Sequence, residues 1–208
     1  DALSFEEAAA MPLAAVTADL CLRQGGVQAG HRVLIIGASG GVGTFAVQLA
    51  AARAAAVTAV CSTRNIDLVT SLGAEQVVDY TRDDFTDLGR AYDVVLDLVG
   101  NRGLRDLRRV VAPNGRLVLS GGGNPGQGEY LGPVGLMAKA GLFGRILGLR
   151  VHIPRAAPDA ERLTELADMA ARGEIRPVID RVYPLADAVE AIRHLEVEHA
   201  RGKIVVTI

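Results

Sequence analysis

The residues of this chain best placed to do chemistry stand in one run, Gly37-Ala38-Ser39-Gly40-Gly41-Val42-Gly43. The apolar stretch Val33-Leu34-Ile35-Ile36 precedes it, and residues 44–53, which read as a helix, follow it. Strand, tight glycine turn and helix in that order aim backbone N–H groups and the positive end of a helix dipole at a phosphate. Glycine is needed because a Cβ would block either the turn or the close approach of a pyrophosphate. Ala38-x-Gly40-x-x-Gly43 has the spacing of the dinucleotide fingerprint, with alanine at the first position. The same residues fit Gly37-x-x-x-Gly41-x-Gly43, the short-chain dehydrogenase spacing. That class needs a Tyr-x-x-x-Lys pair for proton transfer, and none of Tyr80, Tyr92, Tyr130 and Tyr183 has lysine four residues on. Thr44 occupies the position where a phosphate-binding loop of the nucleotide-hydrolase type requires lysine. A glycine turn that merely joins strand to helix is the alternative, and the strand–helix units that follow favour the nucleotide.

The elements that must position this turn alternate along the chain. Ser4-Phe5-Glu6-Glu7 is a capping box that opens a helix, and Pro12 starts a second helical stretch through Leu22, ended by Gly25-Gly26. Strands are expected at Arg32–Ile36, Val57–Cys61, Gln76–Asp79, Asp93–Leu98, Arg116–Ser120 and Leu149–Ile153, with helices at about 41–53, 64–72, 102–111 and 158–173. Near-continuous Val/Ile/Leu content suits a parallel sheet covered on both faces. The expected fold is α/β, a doubly wound six-stranded parallel (Rossmann) sheet. A glycine-dense stretch between Gly121 and Gly148 breaks the rhythm, and within it residues 136–147 are apolar enough for a short helix. Gly121, directly after a strand, belongs where a ligand nears the backbone. Beyond Gly173 come a strand at Pro177–Leu185, a helix at Ala186–His199 and a last strand at Lys203–Ile208, all extra to a six-stranded nucleotide domain.

Composition narrows the class. The chain has 208 residues, 50% hydrophobic and 22% charged, enough for one substantial core. A net charge of −2 gives no reason to expect nucleic acid or a membrane surface as partner. Only Lys139 and Lys203 are lysines, and the arginines are scattered. Cys21 and Cys61 lie far apart with neither metal-ligand nor disulfide spacing, which points to a reducing, cytoplasmic setting. No run is apolar and long enough for a membrane span, and no signal-peptide pattern opens the sequence. His31, His152, His194 and His199 form no ligand set, so no metal is expected; His31 reads as solvent-facing and Asp83-Asp84 as a solvated turn.

Four stretches carry a resemblance: Gly37–Gly43; Val57–Asn65; Asp93-Val94-Val95-Leu96-Asp97-Leu98-Val99-Gly100; and Val178–Leu185 with His199-Ala200-Arg201-Gly202-Lys203. Over essentially its whole length the chain resembles the medium-chain dehydrogenase/reductase superfamily, in its zinc-independent quinone oxidoreductase branch, and most nearly the reticulon-4-interacting-protein-like members. Members carry roughly a further hundred residues first, a GroES-like substrate domain. The resemblance therefore implies connecting helices over 1–30, an NADP-binding domain over 31–173 and, over 174–208, a returning segment of the substrate domain. It also implies a homodimer joined through the edge strand Leu149–Ile153, whose unpaired apolar edge invites pairing, and Pro154 would stop that strand.

Cofactor choice is legible at the end of the second strand. NAD-specific folds place an acid there for the ribose 2′-hydroxyl. Here stand Cys61-Ser62-Thr63-Arg64, where Arg64 can hold a 2′-phosphate by charge-assisted bonds and Ser62 can add a hydroxyl, so NADP is expected. A solvated arginine at a helix start is the plainer reading of Arg64. By resemblance Tyr80 flanks the adenosine phosphate, and Thr17 lies near the nicotinamide carboxamide. Ser39, Gly40 and Val42 line the pyrophosphate turn, Val99 and Gly100 pack the nicotinamide ribose, and Lys203 approaches the cofactor. Simple packing is the alternative for Tyr80, and an interior helix position for Thr17. Ala54-Ala55-Ala56 departs from the family's glycine at the end of the first crossover helix, and a left-handed cap there strains a Cβ by about 1 kcal/mol. The implied activity is hydride transfer from NADPH to a quinone or α,β-unsaturated carbonyl. No catalytic residue can be named from this chain. An NADPH-binding module without turnover is the second reading. Another Rossmann enzyme such as a methyltransferase is the third, and Arg64 in place of an acid argues against it.

Overall fold

The computed structural model describes residues 3–121, 144, 146–155, 157, 159–197 and 200–208. The helix expected over 136–147 lies mostly outside them, as does His199. Two helices open the chain, α1 (Phe5–Ala10) and α2 (Pro12–Gly25). The expected capping box is formed: Glu7 N donates to Ser4 Oγ at 3.2 Å and Ser4 N to Glu7 Oε2 at 2.8 Å.

Strands and helices then alternate: β1 (Arg32–Ile36), α3 (Gly41–Ala52), β2 (Ala56–Cys61), α4 (Ile66–Ser71), β3 (Gln76–Asp79), β4 (Tyr92–Asp97), α5 (Leu104–Val110), β5 (Val111–Leu119), β6 (Arg150–His152) and α6 (Ala160–Ala171). The sheet order is β3-β2-β1-β4-β5-β6, parallel throughout. This is the doubly wound arrangement.

Each strand alternates its two faces. Val33 and Ile35 join α2, α3 and α6 residues in one core; Leu34 and Ile36 join Leu107 and Val110 of α5 in the other. Both sets are buried, so the strands read as continuous apolar runs. β5 starts earlier than its expected Arg116: the ladder opens at Tyr92↔Val111, loses register around Pro113-Asn114-Gly115 and resumes at Val94↔Arg116. The edge strand β6 is three residues, shorter than the expected Leu149–Ile153.

One buried acid ties three helices together. Asp19 on α2 is 0% exposed and accepts from Arg162 of α6 at 2.7 and 2.6 Å, from Arg23 at 2.8 Å, and from Arg53 after α3. Ala54 ends the crossover with φ +55, the left-handed conformation anticipated at that position. His31 is a correction. It is half-buried, with Nδ1 closed to solvent and without a partner among the described residues, and its backbone is held by bonds from its N–H to Gln28 O and from Ala56 N to its own O.

The tail forms the strand, helix and strand expected of it. β7 (Ile179–Pro184) and β8 (Lys203–Thr207) pair in parallel with each other, joined through α7 (Ala188–Val197). Gln48 of α3 anchors the approach to β7: its Nε2 donates to Arg176 O at 3.0 Å, and Arg176 N donates to its Oε1 at 2.8 Å.

Candidate nucleotide site

β1 and β4 are neighbours, yet the chain leaves them toward opposite faces, into α3 and α5. A crevice at the C-terminal strand ends results, which is where open parallel sheets take ligands. Gly37 bends out of β1 with φ +84, and the N–H groups of Gly37 and Ala38 donate to Val60 O at 3.2 and 3.1 Å. Gly40 is the N-cap of α3 and supplies no side-chain cap, so the first-turn N–H groups remain open to an anion.

The glycines serve different ends. A Cβ on Gly43 would stand 2.1 Å from Gly37 O, so this glycine lets the helix close onto the turn. A Cβ on Gly40 would meet nothing nearer than 3.5 Å, which leaves its side of the turn open. At Gly41 a Cβ would press Lys203 Cδ at 2.7 Å. The tail thus reaches the turn itself: Gly202 N donates to Ser39 O at 2.8 Å, and Gly40 bridges Gly202. Lys203 is thereby placed against the glycine turn.

At the end of β2, Ser62 is half-buried while Thr63 and Arg64 are exposed on a short 3₁₀ turn, Thr63–Asn65. No acid ends β2. Thr63 is engaged within the protein, because its hydroxyl bonds the Asp79 carboxylate. Asp79 ends β3 and also accepts from Thr81 N at 3.0 Å and Thr81 Oγ1 at 2.7 Å. The hydroxyls of Thr63 and Thr81 hold its carboxyl below the usual carboxylate range. Burial, with Asp79 adding to it, pushes the Cys61 thiol up to about 11, so it stays protonated and unreactive. Tyr80 follows with its ring 57% exposed beside this end of the crevice. Sequence reasoning passed over Asn65. Its Nδ2 donates to Ser39 Oγ at 3.0 Å and Ser62 Oγ at 3.2 Å, joining the glycine turn to the end of β2.

At the other end Asp97 closes β4. Its Oδ1 accepts from Val99 N at 3.0 Å and Gly100 N at 2.8 Å, while Oδ2 is buried with no partner among the described residues. Burial raises its pKa against the pull of those two backbone N–H groups. Val99 and Gly100 are both exposed on the crevice rim. Gly121 must be glycine on packing grounds alone, because a Cβ there would stand 2.2 Å from the Leu98 carbonyl. α2 runs against the strand direction: Gly25 packs on Val94 and Val118, and Cys21 bonds Ser120. Thr17, one turn before Cys21 on the same side, therefore lies at the crevice end of α2. Two cavities, of about 500 and 480 Å³, open at the opposite, N-terminal strand ends, around Tyr92 and Arg116.

Known proteins match this arrangement. Residues 72–206 fit the zinc-binding dehydrogenase family model. The chain belongs to that family. A zinc-type alcohol dehydrogenase-like protein of Schizosaccharomyces pombe is 37% identical over 99% of this chain and 60% of its own length. The mitochondrial NAD(P)H oxidoreductase RTN4IP1 of Mus musculus is 34% identical over 99% of this chain and 56% of its length. The quinone oxidoreductase of Coxiella burnetii superposes with a TM-score of 0.87 at 30% identity, over 100% of this chain and 62% of that one. The chain thus spans about 60% of the length of such relatives. Zinc itself finds no ligand set among the described residues. Cys21 and Cys61 are buried on separate elements, and no three His, Cys, Asp or Glu side chains converge. A dinucleotide fits better: the open side of Gly40 and the uncapped α3 face the crevice, and behind its two ends Asn65 Oδ1 and Asp97 Oδ2 are buried with no partner among the described residues. No helix among the described residues is long and apolar enough to cross a membrane.

Proposed function

We propose that this chain binds NADPH and serves a reductase of quinones or α,β-unsaturated carbonyls. The observation that carries it is the crevice between β1 and β4, with an uncapped helix at its centre and Ser62 and Arg64, but no acid, at the end of β2. The first turn of α3 and Lys203 would hold the pyrophosphate. Arg64, Ser62 and Tyr80 would hold the adenosine 2′-phosphate. Thr17, Val99 and Gly100 would frame the nicotinamide, which supplies the hydride when bound. The printed names of relatives support this reading, since they include a 2-methylene-furan-3-one reductase of Solanum lycopersicum and an NADPH-dependent alkenal/one oxidoreductase of Arabidopsis thaliana.

Titration of nucleotide fluorescence tests the cofactor. NADPH should bind more tightly than NADH, because a charge-assisted contact contributes about 1.5–3 kcal/mol, or roughly tenfold to a hundredfold. Arg64→Ala should erase most of that margin and leave NADH binding nearly unchanged. Equal affinities in the unaltered protein would overturn the assignment. A module that binds NADPH without turnover is the second reading, favoured for these 208 residues by the apolar side chains exposed on and before α7, Leu185, Val189 and Ile192. Steady NADPH oxidation with 9,10-phenanthrenequinone separates the two.

A further inference from the structure

Asn65 sits behind the two serines of the crevice and is only 4% exposed, whereas Ser39 and Ser62 are half-buried and reach the surface. An amide nitrogen has two protons. Here both serine hydroxyl oxygens accept from Nδ2, at 3.0 and 3.2 Å. A hydroxyl that accepts from behind keeps its own proton to give forward, and the accepted bond strengthens that gift. Two segments far apart in sequence, the glycine turn and the end of β2, thus present two hydroxyl donors controlled by one buried amide.

The alternative amide orientation would reverse the chemistry. Oδ1 would draw both serine protons inward, and the crevice would meet lone pairs instead. A phosphate monoester near neutral pH has only acceptors to offer strong donors, whereas a ribose 2′-hydroxyl can donate. Oδ1 is buried with no hydrogen-bond partner among the described residues. Leaving a buried acceptor unmet is costly, and the hydroxyl donors are what this arrangement gains.

We propose that Asn65 is the positioning residue that selects a 2′-phosphorylated nucleotide, by holding the Ser39 and Ser62 hydroxyls as donors toward the phosphate. The inference rests on the NADPH reading above and adds the device that sets its selectivity. It acts through the serines, so Asn65 itself need not touch the nucleotide.

The test is the ratio of NADPH to NADH affinity, read by titration of each nucleotide into the 208-residue protein and three variants. Asn65→Asp is nearly isosteric but accepts only, so it turns both serine protons inward and adds a negative charge. It should cut the NADPH preference by about tenfold to a hundredfold and leave NADH binding level or improved. Asn65→Ala, which frees the serines without reversing them, should lower the preference by only about twofold to tenfold. Ser62→Ala should resemble Asn65→Ala. Thermal melting of each variant reports folding separately, and a merely structural Asn65 would weaken both nucleotides alike without moving the ratio. An unchanged ratio in folded Asn65→Asp and Asn65→Ala overturns the inference alone. No preference in the unaltered chain overturns the cofactor reading and the inference with it.

Discussion

A single Cβ in the wrong half of conformational space marks the residue scale. Ala54 holds φ +55, and Gly30 N donates to its carbonyl at 2.8 Å, so the turn between α3 and β2 cannot relax without losing that bond. The left-handed conformation costs a non-glycine residue about 1–2 kcal/mol, and glycine would give back about 0.5–1 kcal/mol in unfolded-chain entropy. Ala54→Gly should therefore stabilise the protein by about 0.5–1 kcal/mol in urea unfolding, and a loss of stability would show the strain to be absent. This position was legible through the resemblance, because Ala54-Ala55-Ala56 stands where the family places a glycine at the end of the first crossover helix. The glycine turn was legible because few residue types permit that backbone. Asn65 was not, since its meaning lies in Ser39, which is 26 residues away and faces it only after β1 and β2 pair. The packing of Gly121 on the Leu98 carbonyl was not legible either, because that contact exists only once β4 and β5 are aligned.

Among elements, the helices on one face of the sheet depend on a charge that no sequence pattern announces. Asp19 reads as an ordinary acid on an amphipathic helix, yet it is fully buried, and its bond partners in Arg53 and Arg162 come from 34 and 143 residues away. A buried carboxylate is tolerable only when it is paired and hydrogen-bonded, and here both oxygens accept guanidinium protons. Removing it leaves Arg162 and Arg53, each about a quarter exposed, with only partial access to water. Asp19→Ala should cost about 3–5 kcal/mol, toward the lower end because Arg23 can rehydrate, and should loosen α6 first. Denaturant unfolding with hydrogen exchange on α6 checks both parts; a loss below about 1 kcal/mol would mean that the cluster is ornamental. The strand and helix alternation was legible because both sheet faces are covered, so apolar runs and helical periodicity coincide with element boundaries to within a few residues. The docking of the tail was not. Gly202 with φ +73 brings β8 onto the glycine turn, and only the folded tail shows that Ser39 O is its acceptor.

At the scale of the whole molecule, the sheet ends in β6, whose outer edge pairs with no strand among the described residues. An open edge of this kind invites a second copy unless it is blunted. Two features bear on its pairing. Arg150 lies in register with Arg116, so the edge already carries two positive charges side by side. His152, two residues on, has its pKa lowered by burial and then by the Arg116 charge, so it is neutral near pH 7. A neutral His152 lets a second β6 approach; a protonated one adds a third cation to the same edge. We expect a homodimer through β6 at neutral pH, with two sheets joined edge to edge. Dimerisation is referred to the folded monomer, in which the His152 pKa already lies below 6.5; approach of a second copy's arginines would lower it further, so the dimer is favoured while His152 is neutral and weakens as pH falls through the monomer's lowered value. The dimer should therefore persist at neutral pH and weaken progressively on the acid side of the ordinary histidine value of 6.5, and salt should soften the transition by screening the arginines. Light scattering at micromolar concentration from pH 5 to pH 8 reads this directly. His152→Gln should hold the dimer together at the acid end, since glutamine keeps a polar side chain at the edge and takes no proton. A monomeric mass at pH 8 would remove the edge-strand dimer, and a dimer in the unaltered chain indifferent to pH would remove His152 from its control.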